Sequence, residues 1–87
     1  MRVDEVMLRA EIAQDKLVRI SARASQFVSD IFLEITKEGF EHAADAKSLL
    51  GLLVIPHTPG TRIRIATKGR DEEEALEAMI EMYADYL

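Results

Sequence analysis

The spacing of apolar positions changes period several times along the chain. Val6, Leu8, Ala10 and Ile12 alternate with more polar neighbours, which predicts a half-buried strand. Gln14 to Arg19 reads as a connection. Ser21 is placed to cap a helix running to about Phe32, its hydroxyl accepting one of the free N–H groups of the first turn. Ala24, Phe27, Val28 and Ile31 then fall at helical spacing and form its apolar face. Leu33, Ile35 and Lys37 return to alternation with Glu34 and Thr36. Glu38-Gly39 supplies a tight turn, with Gly39 free to take a positive φ, and Phe40 to about Ala43 forms the returning strand of a hairpin.

There is no internal repeat, and the second half has its own pattern. Asp45 or Ser48 caps a short helix containing Leu49, Leu50, Leu52 and Leu53, and Gly51 inside it costs up to ~1 kcal/mol relative to alanine. That helix therefore depends on tertiary packing. Pro56 and Pro59-Gly60 end it as a loop. Thr61 to Thr67 alternates cleanly as the last strand, with Arg62 and Arg64 facing away from Ile63 and Ile65. Gly69 marks a turn, and Asp71-Glu72-Glu73-Glu74 opens a final helix whose positive dipole end suits the acids. Asp71 with Glu74 resembles a capping box, and Leu76, Met79, Ile80, Tyr83 and Leu87 line one face. The predicted order is β-α-β-β-α-β-α. This is an α+β domain in which a four-stranded antiparallel sheet carries three helices on one face.

Composition narrows the function. The 87 residues suit one domain, with 48% hydrophobic and 31% charged residues, a globular balance. With no cysteine there is no disulfide framework and no thiolate zinc site, and two scattered histidines make no metal site. The net charge of −5 opposes nonspecific nucleic-acid binding, which needs cations to displace counterions. No run approaches the ~18 apolar residues of a membrane helix. The opening Met1-Arg2-Val3-Asp4-Glu5 also lacks a signal peptide's apolar core, so a cytoplasmic location is expected.

Three stretches carry a resemblance. Ala24-Ser25-Gln26-Phe27-Val28, then Ala46-Lys47-Ser48-Leu49-Leu50-Gly51-Leu52, then Thr58-Pro59-Gly60-Thr61 through Gly69 with Asp71-Glu72-Glu73-Glu74-Ala75, occur in one order over about three quarters of the chain. In that order they resemble HPr, the histidine-containing phosphocarrier of the bacterial sugar phosphotransferase system. The resemblance implies the open-faced β-sandwich of that family. It places the first stretch in the first helix, just after the active loop, and the second around the family's regulatory serine.

The active loop of the family reads Gly-Ile/Leu-His-x-Arg-Pro-Ala, and the corresponding stretch here is taken as Arg19-Ile20-Ser21-Ala22-Arg23-Ala24. The preferred alignment puts Ser21 at the histidine and Arg23 at the arginine; an ungapped one puts Ile20 at the histidine and Arg23 at the proline. Neither supplies an imidazole, the nucleophile whose phosphoramidate passes phosphate onward. A serine hydroxyl without a base is a poor substitute. No catalytic activity and no cofactor are therefore expected. Arg23 remains a candidate anion contact, against a solvated helix residue.

Ser48 is the candidate regulatory site. The resemblance implies phosphorylation there by an HPr kinase/phosphorylase-like enzyme and reading of the product by a transcriptional regulator. Leu49, Leu50 and Leu53 are the candidate partner-contact patch, against a bland reading as cap and core. The expected role is that of a regulatory or adaptor protein. The alternative is a phosphocarrier with an atypical acceptor, for which His42 in a strand and His57 in a loop are the only imidazoles. Tyr83 and Tyr86 read as core and rim.

Overall fold

The computed structural model describes all residues from Met1 to Leu87. The elements are β1 (Arg2–Met7), α1 (Gln14–Ala24), β2 (Asp30–Lys37), β3 (Phe40–Asp45), α2 (Leu49–Leu53), β4 (Arg62–Lys68) and α3 (Glu72–Tyr83), followed by a 3₁₀ turn at Ala84–Tyr86. The strands form one antiparallel sheet in the order β1-β4-β2-β3. The expected fold and element order are both present.

The register explains the two faces of the sheet. Leu33 lies opposite Ile65 and Ile35 opposite Ile63, so these four side chains share the face under the helices. All four are fully buried with Ile31, and each contributes about 1.5–3 kcal/mol. Leu17, Ile20 and Ala24 of α1, Leu52 of α2, and Ala75, Met79 and Tyr83 of α3 close over them. On the other face Arg64 pairs with Glu34 at 3.1 Å and Arg62 with Glu5 at 3.3 Å. As predicted, the two arginines of β4 point away from the core. At the β2–β3 turn Glu38 and Gly39 take φ of 50° and 83°. Two consecutive left-handed residues match the twist of a two-residue hairpin.

Four local expectations need correction. The first strand ends at Met7, not Ile12. Leu8 and Ile12 are buried, but Ala10 is exposed, because the chain leaves the sheet after Met7. Its backbone is then pinned to other loops: Leu8 N–H donates to the Thr61 carbonyl (2.9 Å), Arg9 N–H to Tyr86 (2.7 Å) and Ile12 N–H to His57 (2.9 Å).

The first helix occupies Gln14–Ala24, where a connection had been expected, and not Ser21–Phe32. Its buried face is Leu17, Ile20, Ser21 and Ala24, a helical spacing that begins seven residues before the face read from the sequence. Val28 is exposed, while Ile31 and Phe32 already belong to β2. Ile31, Leu33 and Ile35 form one continuous period-two run, and that run overrides helix formation beyond Ser25.

The capping box at α3 does not form. Asp71 makes no cap bond to its own helix. Its carboxylate instead accepts from Val28 N–H (3.0 Å), Ser29 N–H (2.9 Å) and the Ser29 hydroxyl. These bonds hold the Asp71 carboxyl below its ordinary pKa. Gly69 makes the same junction possible, since a Cβ there would lie 2.7 Å from Ser29 Cα. Leu87 lies beyond α3 and is exposed, so the apolar face of that helix ends at Tyr83.

Candidate functional site: two helix N-termini

The N-terminus of α2 is built by a turn that starts at Asp45. The Asp45 carboxylate accepts from Lys47 N–H at 2.9 Å, and its carbonyl accepts from Ser48 N–H at 2.9 Å. Ser48 then stands in extended backbone as the N-cap, and its Oγ accepts from Gly51 N–H at 3.1 Å. Asp45 thus shapes the turn and Ser48 caps the helix. Gly51 lets the two approach: a Cβ on it would sit 3.3 Å from Ser48 Oγ and 3.7 Å from the Ala44 methyl.

A clasp joins this turn to the end of α1. Lys47 Nζ donates to the Phe27 carbonyl at 2.8 Å, and the Ser21 hydroxyl donates to the Lys47 carbonyl at 3.1 Å. Lys47 escaped the sequence reading because nothing in its spacing marks a side chain that reaches the loop after α1.

Of the leucines read as a patch, Leu50 is 77% exposed, whereas Leu49 and Leu53 are half-buried. Val54 is 69% exposed one residue past α2 and extends the apolar surface. The sequence reading did not single it out.

The N-terminus of α1 is different. Its N-cap is Ala13, in extended backbone, with no side-chain cap bond. The Ala13 carbonyl accepts from Lys16 and Leu17 N–H at 3.0 and 3.2 Å. Asp15 stands in the first turn, and Glu11 precedes the cap. An acidic first turn already complements the dipole and repels a further anion.

Beside this terminus is a depression of about 400 Å³, walled by Glu11, Ile12, Gln14, Leu17, Leu53 and His57. His57 is only 4% exposed. Its Nε2 lies 3.3 Å from the Tyr83 hydroxyl, and the two rings are parallel with centroids 6.1 Å apart. Nδ1 is buried without a hydrogen-bond partner. Burial lowers the His57 pKa, partly offset by the Ile55 backbone, and burial likewise raises that of Tyr83.

The placements of Ser21 and Arg23 are corrected accordingly. Ser21 is 7% exposed inside the helix, not in a loop ahead of it. Arg23 lies in the last turn of α1, at the negative end of the dipole. Its guanidinium donates to Gln26 Oε1 (2.6 Å) and stacks 4.9 Å over the Phe27 ring. Neither residue is at the N-terminus of α1, where the resemblance requires the active loop. The segment that is there reads Ile12-Ala13-Gln14-Asp15-Lys16-Leu17. Against Ile-His-x-Arg-Pro-Ala it keeps the isoleucine and departs at every specified position after it. His42 lies exposed on β3, stacked on Phe40 with centroids 6.0 Å apart.

Sheet order, helix layer and serine-capped second helix together define a phosphocarrier-type α+β domain. The sequence profile described as "PTS HPr component phosphorylation site" matches residues 6–85. The chain belongs to the HPr family, proteins of the phosphotransferase system. It is 36% identical over 76 residues to HPr-like protein Crh of Halalkalibacterium halodurans, covering 87% of this chain and 86% of the relative. To Crh of Bacillus subtilis it is 35% identical over 75 residues, covering 86% and 84%. The crystal structure of B. subtilis Crh, described as a swapped dimer, superposes with a TM-score of 0.72 at 30% identity, over 100% of this chain and 95% of that one. A mycoplasma histidine-containing phosphocarrier protein gives a TM-score of 0.84 at 19% identity, over 97% and 93%, which speaks to the fold alone.

Proposed function

We propose that this chain is a noncatalytic regulatory or adaptor member of the HPr family, switched at Ser48. The observation that carries the first half is Ala13 at the N-cap of α1, where the family motif has its histidine. A methyl group cannot accept phosphate. Asp15 takes the place of the motif's arginine, so the site has exchanged an anion's partner for its repeller.

The geometry around Ser48 supports the second half. A phosphate there would add about −1.5 to −2 charge. The Ser48 oxygen could keep accepting from Gly51 N–H, and the Lys47 ammonium could turn from the Phe27 carbonyl toward the new charge. The Asp45 carboxylate in the same turn opposes it. A protein partner would then meet a dianion beside Leu50 and Val54. The proposed partners are an HPr kinase/phosphorylase-like enzyme and a transcriptional regulator, in the cytoplasm.

Incubation with such a kinase and ATP, followed by mass spectrometry, is the test. The expected result is one phosphate on Ser48; no phosphate there sinks the switch and leaves the family intact.

One observation favours a phosphocarrier with an atypical acceptor: His57 lies beside the N-terminus of α1, bonded through its carbonyl to Ile12. Its ring argues the other way, being buried against Tyr83 with no arginine lining the depression. Transfer from phosphoenolpyruvate through the general enzyme of the system decides, and an acid-labile, base-stable adduct on His57 would establish this second reading.

A further inference from the structure

The exposed sides of α1 and α3 carry opposite charge and border one groove. Lys16, Arg19 and Arg23 form one bank, at a spacing that keeps them on a single helical face. Glu81 and Asp85 form the other bank, and Ile20, Met82 and Tyr86 lie between them in a volume of about 310 Å³.

None of these five charges takes part in an ion pair. The ion pairs of the molecule use the N-terminus, Arg2, Arg62 and Arg64 with Glu5, Glu34, Glu72 and Glu73. In a chain of net charge −5, three cations gathered on one helix without a carboxylate within 4 Å are a local inversion of sign.

An acidic ligand entering the groove would meet Glu81 and Asp85, and a basic one would meet α1. A partner that satisfies both banks must present both signs side by side in the opposite order. A two-fold axis along the groove generates that arrangement from the molecule itself. Rotation about it lays the α1 of one copy over the α3 of the other at the same height, twice over. Isologous interfaces are self-complementary in this way.

We propose that the α1–α3 face is a self-association surface, on which two copies pair head to head through Lys16, Arg19 and Arg23 against Glu81 and Asp85. The apolar groove floor is covered in the process. This surface is separate from Ser48 and does not depend on its phosphorylation.

Sedimentation equilibrium tests it. In dilute salt the weight-average mass should rise with concentration from 9.8 kDa toward twice that value. It should return to the monomer's at about 0.5 M salt, where screening acts over a few ångströms. Two charge-reversed variants sharpen the test. R19E/R23E makes both banks acidic and E81R/D85R makes both basic, so each alone should stay monomeric while an equimolar mixture forms a 1:1 heterodimer. All four residues are exposed, and circular dichroism verifies that the variants fold. A wild-type chain that stays monomeric at millimolar concentration in dilute salt overturns the proposal. So does a dimer that survives in both single variants, or a mixture that does not pair.

Discussion

The N-termini of α1 and α2 are comparable physical objects with different caps. Each follows extended backbone, and each presents N–H groups at the positive end of a helix. At α2 the cap is a serine whose oxygen is held at 3.1 Å from Gly51 N–H, with Lys47 beside it and Leu50 and Val54 exposed nearby. At α1 the cap is an alanine, the first turn carries Asp15, and the neighbouring imidazole is buried. A dipole and free N–H groups therefore do not make an anion site by themselves. The side chains at the cap and in the first turn decide whether phosphate can be accepted, tolerated or refused. On the function proposed above, the two termini sort into one that could be modified and one that is silent.

The largest expected effect comes from reversing that sorting. A13H/D15R returns an imidazole to the cap of α1 and a cation to its first turn. With phosphoenolpyruvate and the general enzyme, the double variant should gain an acid-labile, base-stable phosphate, and the wild type should show none. Both positions are exposed, so the fold should tolerate them. A wild-type chain labelled as strongly as the variant would remove the difference between the two termini.

Next in size is the loss at the other terminus. Ser48→Ala should abolish kinase-dependent phosphorylation and, through loss of the cap bond to Gly51, destabilise the fold by about 1 kcal/mol. Urea denaturation measures the second part. Ser48→Asp should keep most of that stability, since aspartate is also a good N-cap. If Ser48→Ala still takes up one phosphate, the switch lies elsewhere.

Acid should then separate the buried imidazole from the rest. The folded-state pKa of His57 is lowered, chiefly by burial, from its ordinary 6.5. Below the unfolded value the unfolded chain binds a proton that the folded chain refuses. Stability is thus complete above pH 6.5 and falls as the pH drops toward the lowered folded value, at a slope of up to ~1.4 kcal/mol per unit. Asp71 and Glu72, whose pKa values are also lowered, add their own loss only at more acid pH, below their ordinary 3.8 and 4.5. Urea midpoints between pH 7.5 and 5 should decline in the wild type and stay nearly level in His57→Phe. Equal declines in both would mean that His57 is solvated in the folded state.

How much of this could be read from the chain depends on the range of the forces involved. The cap of α2, narrowed to Asp45 or Ser48, the hairpin turn at Glu38-Gly39 and the alternation of β4 are local, and the last two were fully legible. The first helix was not. Its true cap is an alanine with no capping chemistry, while Ser21, in its last turn, has the hydroxyl of a cap. That hydroxyl serves a contact 26 residues away, at the Lys47 carbonyl. Asp71 misled in the same manner: its position suits a capping box, but its carboxylate is taken by Val28 and Ser29 across the fold. Polar side chains near helix ends have both local and distant partners, and only the tertiary structure chooses. The displaced helix moves the motif's position from Ser21 to Ala13, and neither residue is an imidazole.

The smallest effect on stability should accompany a specific effect on recognition. Leu50 and Val54 remain in water beside Ser48, and a solvated leucine contributes little to the fold. Leu50→Ser should change unfolding free energy by no more than about 0.5 kcal/mol, the usual range for surface sites. If the phosphorylated terminus is read together with its apolar neighbours, the same change should weaken regulator binding to the Ser48-phosphorylated protein by about tenfold, equivalent to ~1.4 kcal/mol. The matching change at the silent terminus, Ala13→Ser, should leave that binding untouched. Titration calorimetry with the phosphorylated proteins separates the cases. Equal weakening by both substitutions would mean that the partner spans both termini, and the division between them would then describe chemistry but not recognition.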